Sequence, residues 1–431
     1  MPDNRAGSKA GQNLLVVVVL LGIINLVNQM DRVLFALMVE PVKADLGLSD
    51  SQMGLLGGLA FAVCYAGLGL VAGRIADRWN RVHLIAIALT VWSAATAACG
   101  MSYSFLQMFV SRMMVGTGEA GCVPSAQSLI SDVTPARNRA FMISLFTGIG
   151  TIGTLIGLIV GGIVLEMVGW RMTFIVFGAF GLLPLVLLLV MLRDPREVRS
   201  ATAAASNVVW SQDVVSMLKR REIQLLLVAI PLLFTLAGLA TWIPAFFQRS
   251  YGVTIEEFSR SGGAFLGFGL IIGTFAGGFI VNKLVARDAR WEFWWSALSC
   301  SLAVVPFMAV LIGHNVQVAY YGLFGAFFLA GTGFGPAMAC MHTVSKQSVR
   351  ATAVALMMFA SSLIAYGAVP AIIGVLSDLF ASFGAGIDDG TSLKYALLCS
   401  MTLPPVASIL FLVAAHRVVP AASMSLAKHS T

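Results

Sequence analysis

The chain has 431 residues, of which 58% are hydrophobic and only 11% are charged, with a formal net charge of +7. Soluble domains carry about 25% charged residues. The composition therefore excludes an ordinary soluble domain and points to a chain that lives inside a bilayer, where a basic balance sets orientation rather than nucleic-acid binding.

A bilayer core about 30 Å thick needs about 20 apolar residues per helix. Such runs recur twelve times, over 14–40, 52–73, 82–101, 105–130, 139–165, 170–192, 223–249, 259–281, 291–312, 316–341, 351–378 and 393–416. The first run is too long for a secretory signal and has no small-residue cleavage site, so it reads as an uncleaved first helix. The polar stretch Arg193 to Glu222 is the longest linker. The expectation is an all-α membrane protein of twelve transmembrane helices in two pseudo-symmetric six-helix bundles. Residues 1–192 form the first bundle, 193–222 a cytoplasmic linker and 223–431 the second bundle. Six Cys lie in or beside apolar runs, and none is paired as C-x-x-C, so they read as small packing residues.

Lys and Arg fix the orientation. With the N-terminus placed inside, twenty of the 27 fall on the inner side and five on the outer: Lys43, Arg171, Arg249, Arg260 and Lys394. Arg32 and Arg112 fall within the membrane. This bias predicts that both termini are cytoplasmic.

Two pairs of matching stretches indicate an internal repeat. Gly73-Arg74-Ile75-Ala76-Asp77-Arg78 closes the second run, and Gly278-Phe279-Ile280-Val281-Asn282-Lys283 closes the eighth. Gly116-Thr117-Gly118 in the fourth recurs as Gly331-Thr332-Gly333 in the tenth.

The chemistry concentrates in the first half. Asn28-Gln29-Met30-Asp31-Arg32 lies inside the first apolar run. Asp31 stands about 25 Å along a helix that starts at Leu14, still within the bilayer core. Each Asp or Arg near the centre of a membrane helix costs about 2.5–3.5 kcal/mol unless it is paired or faces water. Two readings fit: a salt bridge that locks helices together, or a proton or substrate site in a polar cavity. The fourth run adds Arg112 and Glu119, seven residues apart and so on one helical face. Glu119 too is either a structural partner of one Arg or part of that site. In the second half the nearest ionisable residue is His342, which reads as packing before relay. A cavity wall there would be aromatic and aliphatic, with Phe234, Trp242, Phe246, Phe247 and Tyr366 as candidates. Gly153, Gly157 and Gly161 in the fifth run give small-xxx-small packing. Acid–base chemistry by Asp31 and Glu119 in an embedded enzyme is a rival use. No metal cluster, G-x-S-x-G elbow or phosphate loop accompanies them.

The loop Gly73-Arg74-Ile75-Ala76-Asp77-Arg78-Trp79-Asn80-Arg81 resembles the signature between helices 2 and 3 of the major facilitator superfamily. That resemblance implies two bundles rocking about a central site, with Gly73, Asp77, Arg78 and Arg81 as a conformational latch. A finer resemblance rests on five stretches in order. They are Asn28-x-x-Asp31-Arg32, Ser49-Asp50-Ser51-Gln52-x-Gly54-Leu55-Leu56, Gly73 to Arg81, Gly116-x-Gly118-Glu119-Ala120, and Asp132-x-x-Pro135-x-x-x-Arg139. Together they are similar to the Spinster-type transporters over roughly the first 165 residues. The fifth run lacks the proline usual in superfamily exporters. The resemblance implies a proton-linked carrier of an amphipathic, lysolipid-like or sphingoid-like substrate. It places proton coupling at Asp31 and Glu119, with Arg32 and Arg112 as charge partners and headgroup contacts. A proton-coupled symporter of organic anions or sugar acids, and a multidrug exporter, are the alternatives. No catalytic role, cofactor, metal or nucleic acid is expected, and the protein is expected to act as a monomer in the inner membrane.

Overall fold

The computed structural model describes residues 14–194, 212–346, 349–383 and 387–418. All its elements are helical among the described residues. Span 1 is Leu14–Leu46, and span 2 is Asp50–Gly57 continued by Leu59–Arg78. Span 3 is Arg81–Gly100, and span 4 is Phe105–Glu119 continued by Cys122–Val133.

Spans 5 and 6 follow one another within Arg139–Met191, where the only non-helical residue is Gly169 at φ 75° and ψ 168°. That left-handed φ is one that glycine adopts without a Cβ penalty, and the chain reverses there. Before it, Gly153, Gly157 and Gly161 meet Leu26, Met30 and Leu34 in rising order, so span 5 runs parallel to span 1. After it, Gly178 and Gly181 pack on Ala97 and Ser93, while Arg171 lies against Gly100, so span 6 runs antiparallel to span 3.

Span 7 is broken twice: Arg221–Leu233, Thr235–Leu239 and Ile243–Tyr251. Span 8 is Ile255–Arg260 and Gly262–Val285, span 9 is Trp291–Ile312, and span 10 is Val316–Val344. Span 11 contains a π-helical stretch, Ser362–Ala368, between Arg350–Ser361 and Val369–Ser382. Span 12 is Asp389–Ser400 with Leu403–Arg417. Ten of these helices are long and apolar enough to cross a membrane. One of the ten is the double span reversed at Gly169, and the charged, interrupted span 4 stands outside them, which yields the expected twelve crossings. The expected linker falls mostly outside the described residues, and its last part forms the helix Gln212–Leu218.

The repeat read from the sequence is spatial. A Cβ on Gly116 would lie 2.3 Å from the Phe61 carbonyl of span 2, and one on Gly331 would lie 2.8 Å from the Leu270 carbonyl of span 8. Gly118 likewise abuts Trp92 of span 3, as Gly333 abuts Ser299 of span 9. Each Gly-Thr-Gly thus lets two neighbouring helices approach at equivalent places in the two bundles. Spans 8 and 10 cross closely through Gly269, Gly273 and Gly277, which meet Phe324, Phe328 and Thr332. A Cβ at Gly273 would sit 2.1 Å from the Phe328 carbonyl. Gly273→Leu is therefore expected to destabilise the second bundle by about 1–3 kcal/mol. A lowered unfolding temperature of the detergent-purified variant, against an unchanged Gly278→Leu control in open space, checks this.

The bundles meet on the face away from Leu14 and Arg417 and part towards the face on which these two residues lie. Near the far face, Leu155, Leu158 and Gly162 of span 5 pack on Gly267, Gly263 and Ser259 of span 8. Towards the other face, the Cβ sides of Gly148 in span 5 and Gly278 in span 8 are open. Spans 2 and 11 touch backbone to backbone: a Cβ on Gly54 would lie 2.5 Å from the Pro370 carbonyl, and one on Gly58 2.3 Å from that of Gly367.

Arg249 of span 7 seals the far side. Its guanidinium donates to Glu40 at 2.7 Å and to Asp50 at 2.7 Å, although its own side chain is only 6% exposed. Lys43 adds ion pairs to Asp50 and Asp389. The Asp378 carboxylate accepts from the backbone N–H groups of Asp50 and Ser51 at the start of span 2, where a helix N-terminus favours an anion. Among the outer cations counted from the sequence, Lys43 and Arg249 thus join the two halves.

Candidate transport cavity

Between the bundles lies a cavity of about 180 Å³ lined from spans 1, 2, 4, 5, 7, 8, 10 and 11. Gln29, Arg32 and Arg112 form its polar side. Phe258, Leu266, Leu270, Phe327 and Phe334, all from the second half, form its apolar side.

The charged side is built on span 1. Asp31 and Arg32 are consecutive, so their side chains leave the helix about 100° apart. Arg32 turns towards span 4, where its Nε donates to Glu119 Oε2 at 2.7 Å. The Glu119 side chain is fully buried and that of Arg32 is 25% exposed, so the pair spans from the protein interior to the cavity. Removing one member of such a buried pair costs about 3–5 kcal/mol, because the other charge is left uncompensated. Asp31 turns the other way, is 5% exposed, and accepts from Thr96 Oγ1 of span 3 at 2.7 Å. Arg112 is 3% exposed and donates from Nε to the Leu56 carbonyl at 3.3 Å, close to the interruption of span 2 at Gly58.

Both guanidiniums rest on aromatic faces. Arg32 Cζ lies 4.3 Å from the Tyr65 ring centre and 5.3 Å from that of Phe61. Arg112 Cζ lies 4.7 Å from Phe35 and 5.4 Å from Phe61. Each such contact contributes about 0.5–2 kcal/mol, the more so as water is excluded. Phe61 and Tyr65 are themselves stacked at 5.3 Å, so spans 1 and 2 hold both cations in place.

The structure brings Asp31, Arg32, Arg112 and Glu119 into one region, with Arg32 and Glu119 as the hydrogen-bonded ion pair. Asp31 hydrogen-bonds to Thr96, and the hydrogen bond of Arg112 goes to a backbone carbonyl rather than a carboxylate. Of the aromatic candidates only Tyr366 lines the cavity. Trp242 is fully buried and donates from Nε1 to the Pro370 carbonyl. Phe246 and Phe247 are core residues in an aromatic cluster with Tyr251. Phe234 stacks at 4.6 Å on Phe334, which takes the lining position instead. His342 is exposed at the end of span 10.

For the latch, the surroundings of Gly73 and the side chains of Asp77 and Arg78 lie outside the described residues. Arg81 is fully buried and pairs with Asp132 at the end of span 4 and with Asp194 after span 6. It therefore ties three spans of the first bundle together rather than one bundle to the other. Thr96, Tyr65, Phe61 and the apolar lining of spans 8 and 10 were not singled out from the sequence. Phe61 and Tyr65, spaced i, i+4 in an apolar run, were the only local signal for the aromatic shelf.

Two bundles of six spans that close on one face around a central, partly charged cavity define a membrane transporter. The model of the Major Facilitator Superfamily matches residues 21–370, and the chain belongs to that superfamily. It is 29% identical over 364 residues to an MFS-type efflux pump of Mycolicibacterium smegmatis, covering 83% of each protein. It is 27% identical over 412 residues to protein spinster homolog 1 of Xenopus laevis, covering 89% of this chain and 77% of that protein. In structure it matches a bacterial homolog of the human lysosomal transporter Spinster, captured in an inward-facing and unoccupied conformation. The TM-score is 0.81 at 24% identity, over 94% of this chain and 97% of the other. The protein is a multi-pass membrane transporter of small molecules, similar to the Spinster group.

Proposed function

We propose that the protein is a proton-coupled secondary transporter that carries an amphipathic, lipid-like substrate, such as a lysophospholipid or sphingoid lipid, by alternating access. The observation that carries this reading is the two-sided cavity. Arg32 and Arg112 offer donors to a polar headgroup on one side, and the phenyl and leucine side chains of spans 8 and 10 offer apolar surface on the other. The resemblance of roughly the first 165 residues to Spinster-type transporters implies the same cargo class. Asp31 and Glu119 are the proton carriers in this scheme, because both are buried carboxyls beside cations. The closed Arg249 face and the parted opposite face correspond to one of the two alternating states. With the Lys and Arg bias, the parted face is cytoplasmic, and so are both termini. Residues 1–192 and 223–431 are then the two rocking units, joined by 193–222. The loop of Gly73, Asp77, Arg78 and Arg81 biases the state, and a single chain in the inner membrane suffices.

Reconstituted protein should move radiolabelled lysophospholipid across proteoliposome membranes faster when a pH gradient is imposed, and a protonophore should remove the stimulation. Gradient-driven movement of a hydrophilic sugar acid, with none of the lysophospholipid, would replace this reading with the organic-anion one.

A further inference from the structure

Asn28 is a buried polar residue of span 1 that the mechanism above does not use; the other, Asn25, donates to the Phe146 carbonyl. The Asn28 side chain is 0% exposed, and neither Nδ2 nor Oδ1 has a hydrogen-bond partner. A buried amide left unpaired costs about 1–3 kcal/mol per group, so leucine at this depth would be the cheaper residue.

Its place on the helix is informative. At about 100° per residue, Asn28 projects between Asp31 and Arg32, about 60° from the first and 40° from the second, one turn nearer the N-terminal face. Helical side chains lean towards the N-terminus, so Arg32 lies back over the turn that holds Asn28. Two more unpaired buried atoms belong to the ion pair formed there, Arg32 Nη2 and Glu119 Oε1. Asn28, Arg32 and Glu119 are thus each short of a partner, and on span 1 Asn28 stands between the branch to Asp31 and the branch that reaches Glu119. The other ionisable groups facing Asp31, Arg32 and Glu119 are Arg112 and Cys122 on span 4, Tyr65 on span 2, Cys99 on span 3 and Tyr366 on span 11. Span 5, packed along span 1, presents no ionisable side chain between Met142 and Leu165.

We propose that Asn28 is a positioning residue that holds a water molecule between Asp31 and Glu119, through which the two carboxyls exchange a proton. The amide is suited to this because it offers a donor and an acceptor and cannot itself ionise. The step balances: the Asp31 carboxyl gives its proton to the water oxygen as the water gives one of its own to the Glu119 carboxylate. The reverse transfer follows the same path. This inference rests on the reading of Asp31 and Glu119 as proton carriers.

The test is an infrared pH titration of the protonated-carboxyl bands of the purified full-length protein, assigned with Asp31→Asn and Glu119→Gln. In Asn28→Leu, which keeps the heavy-atom count and branching and removes both polar atoms, at least one carboxyl midpoint should move by about one pH unit or more. Asn28→Ser, which can still bind water, should stay near wild type. Bands and midpoints unchanged in Asn28→Leu overturn the proposal, whether or not its thermal stability falls. If Asn28→Leu does not fold, Asn28→Val is read in its place by the same criteria. A wild type with no carboxyl titration between pH 4 and 9 would instead defeat the proton-carrier reading itself.

Discussion

Asp31→Asn and Glu119→Gln are each expected to abolish substrate accumulation driven by a pH gradient while gradient-free exchange continues. Both changes keep size and hydrogen-bonding shape, so Thr96 can still donate at position 31 and Arg32 at position 119. What each change removes is the ability to take up and release a proton. Coupling requires that the protonation state of the cavity differ between the two access states. A carboxyl that cannot titrate makes both states electrically alike. The measurement is counterflow against pH-driven uptake in the same proteoliposome preparation, with at least tenfold loss of the second expected. Gradient-driven uptake at the wild-type rate in both variants would move the coupling away from this pair.

Arg249→Gln is expected to shift the protein away from the state with its far face closed. Arg249 is the shared partner of Glu40 and Asp50, and the Asp50 carboxylate is only 4% exposed on its side chain. Removing one member of such a buried network costs about 3–5 kcal/mol in the state that forms it. These contacts cross between spans 1, 2 and 7, so that cost falls on the closed state alone. Every 1.4 kcal/mol is tenfold in a population, so the expected shift is roughly a hundredfold or more. Spin labels at Leu46→Cys and Lys394→Cys, on opposite bundles at this face, should report a longer distance in the variant. Cys64 and Cys399, the two cysteines that are not buried, would first be changed to Ser. An unchanged distance distribution would show that the backbone contact of spans 2 and 11 closes this face without Arg249.

Spans, repeat and charged constellation were legible because each leaves a one-dimensional signal. Twenty apolar residues mark a crossing whatever surrounds them. A charge such as Asp31 inside one is conspicuous because it is costly. The Gly-Thr-Gly pairs could be matched by position alone, and Gly116 and Gly331 do occupy equivalent contacts. Pairing partners were less accessible. Thr96 looks like any small residue in an apolar run, and only the approach of span 3 to span 1 makes it the partner of Asp31. Aromatics failed for a related reason. In a membrane chain Phe and Trp occur in the core, facing lipid and in the cavity alike, so Trp242 and Phe246 could not be told from Phe327 and Phe334 by pattern. Arg249 was visible only as one of five outer cations. Its position among Glu40, Asp50 and the first residues of span 12 depends on how the bundles meet, which the order of residues does not encode locally.

The central claim is that the cavity holds a polar head against Arg32 and Arg112 and a hydrocarbon tail against spans 8 and 10. The most direct measurement is the affinity of purified protein for a homologous series of single-chain lipids, each monomeric below its micelle threshold. Each buried CH₂ contributes about 0.8 kcal/mol. Four added methylenes should therefore tighten binding by about 3 kcal/mol, roughly a hundredfold, until the tail outgrows the apolar wall. Affinity that stays flat across the series, together with tight binding of a small hydrophilic acid, would contradict the account.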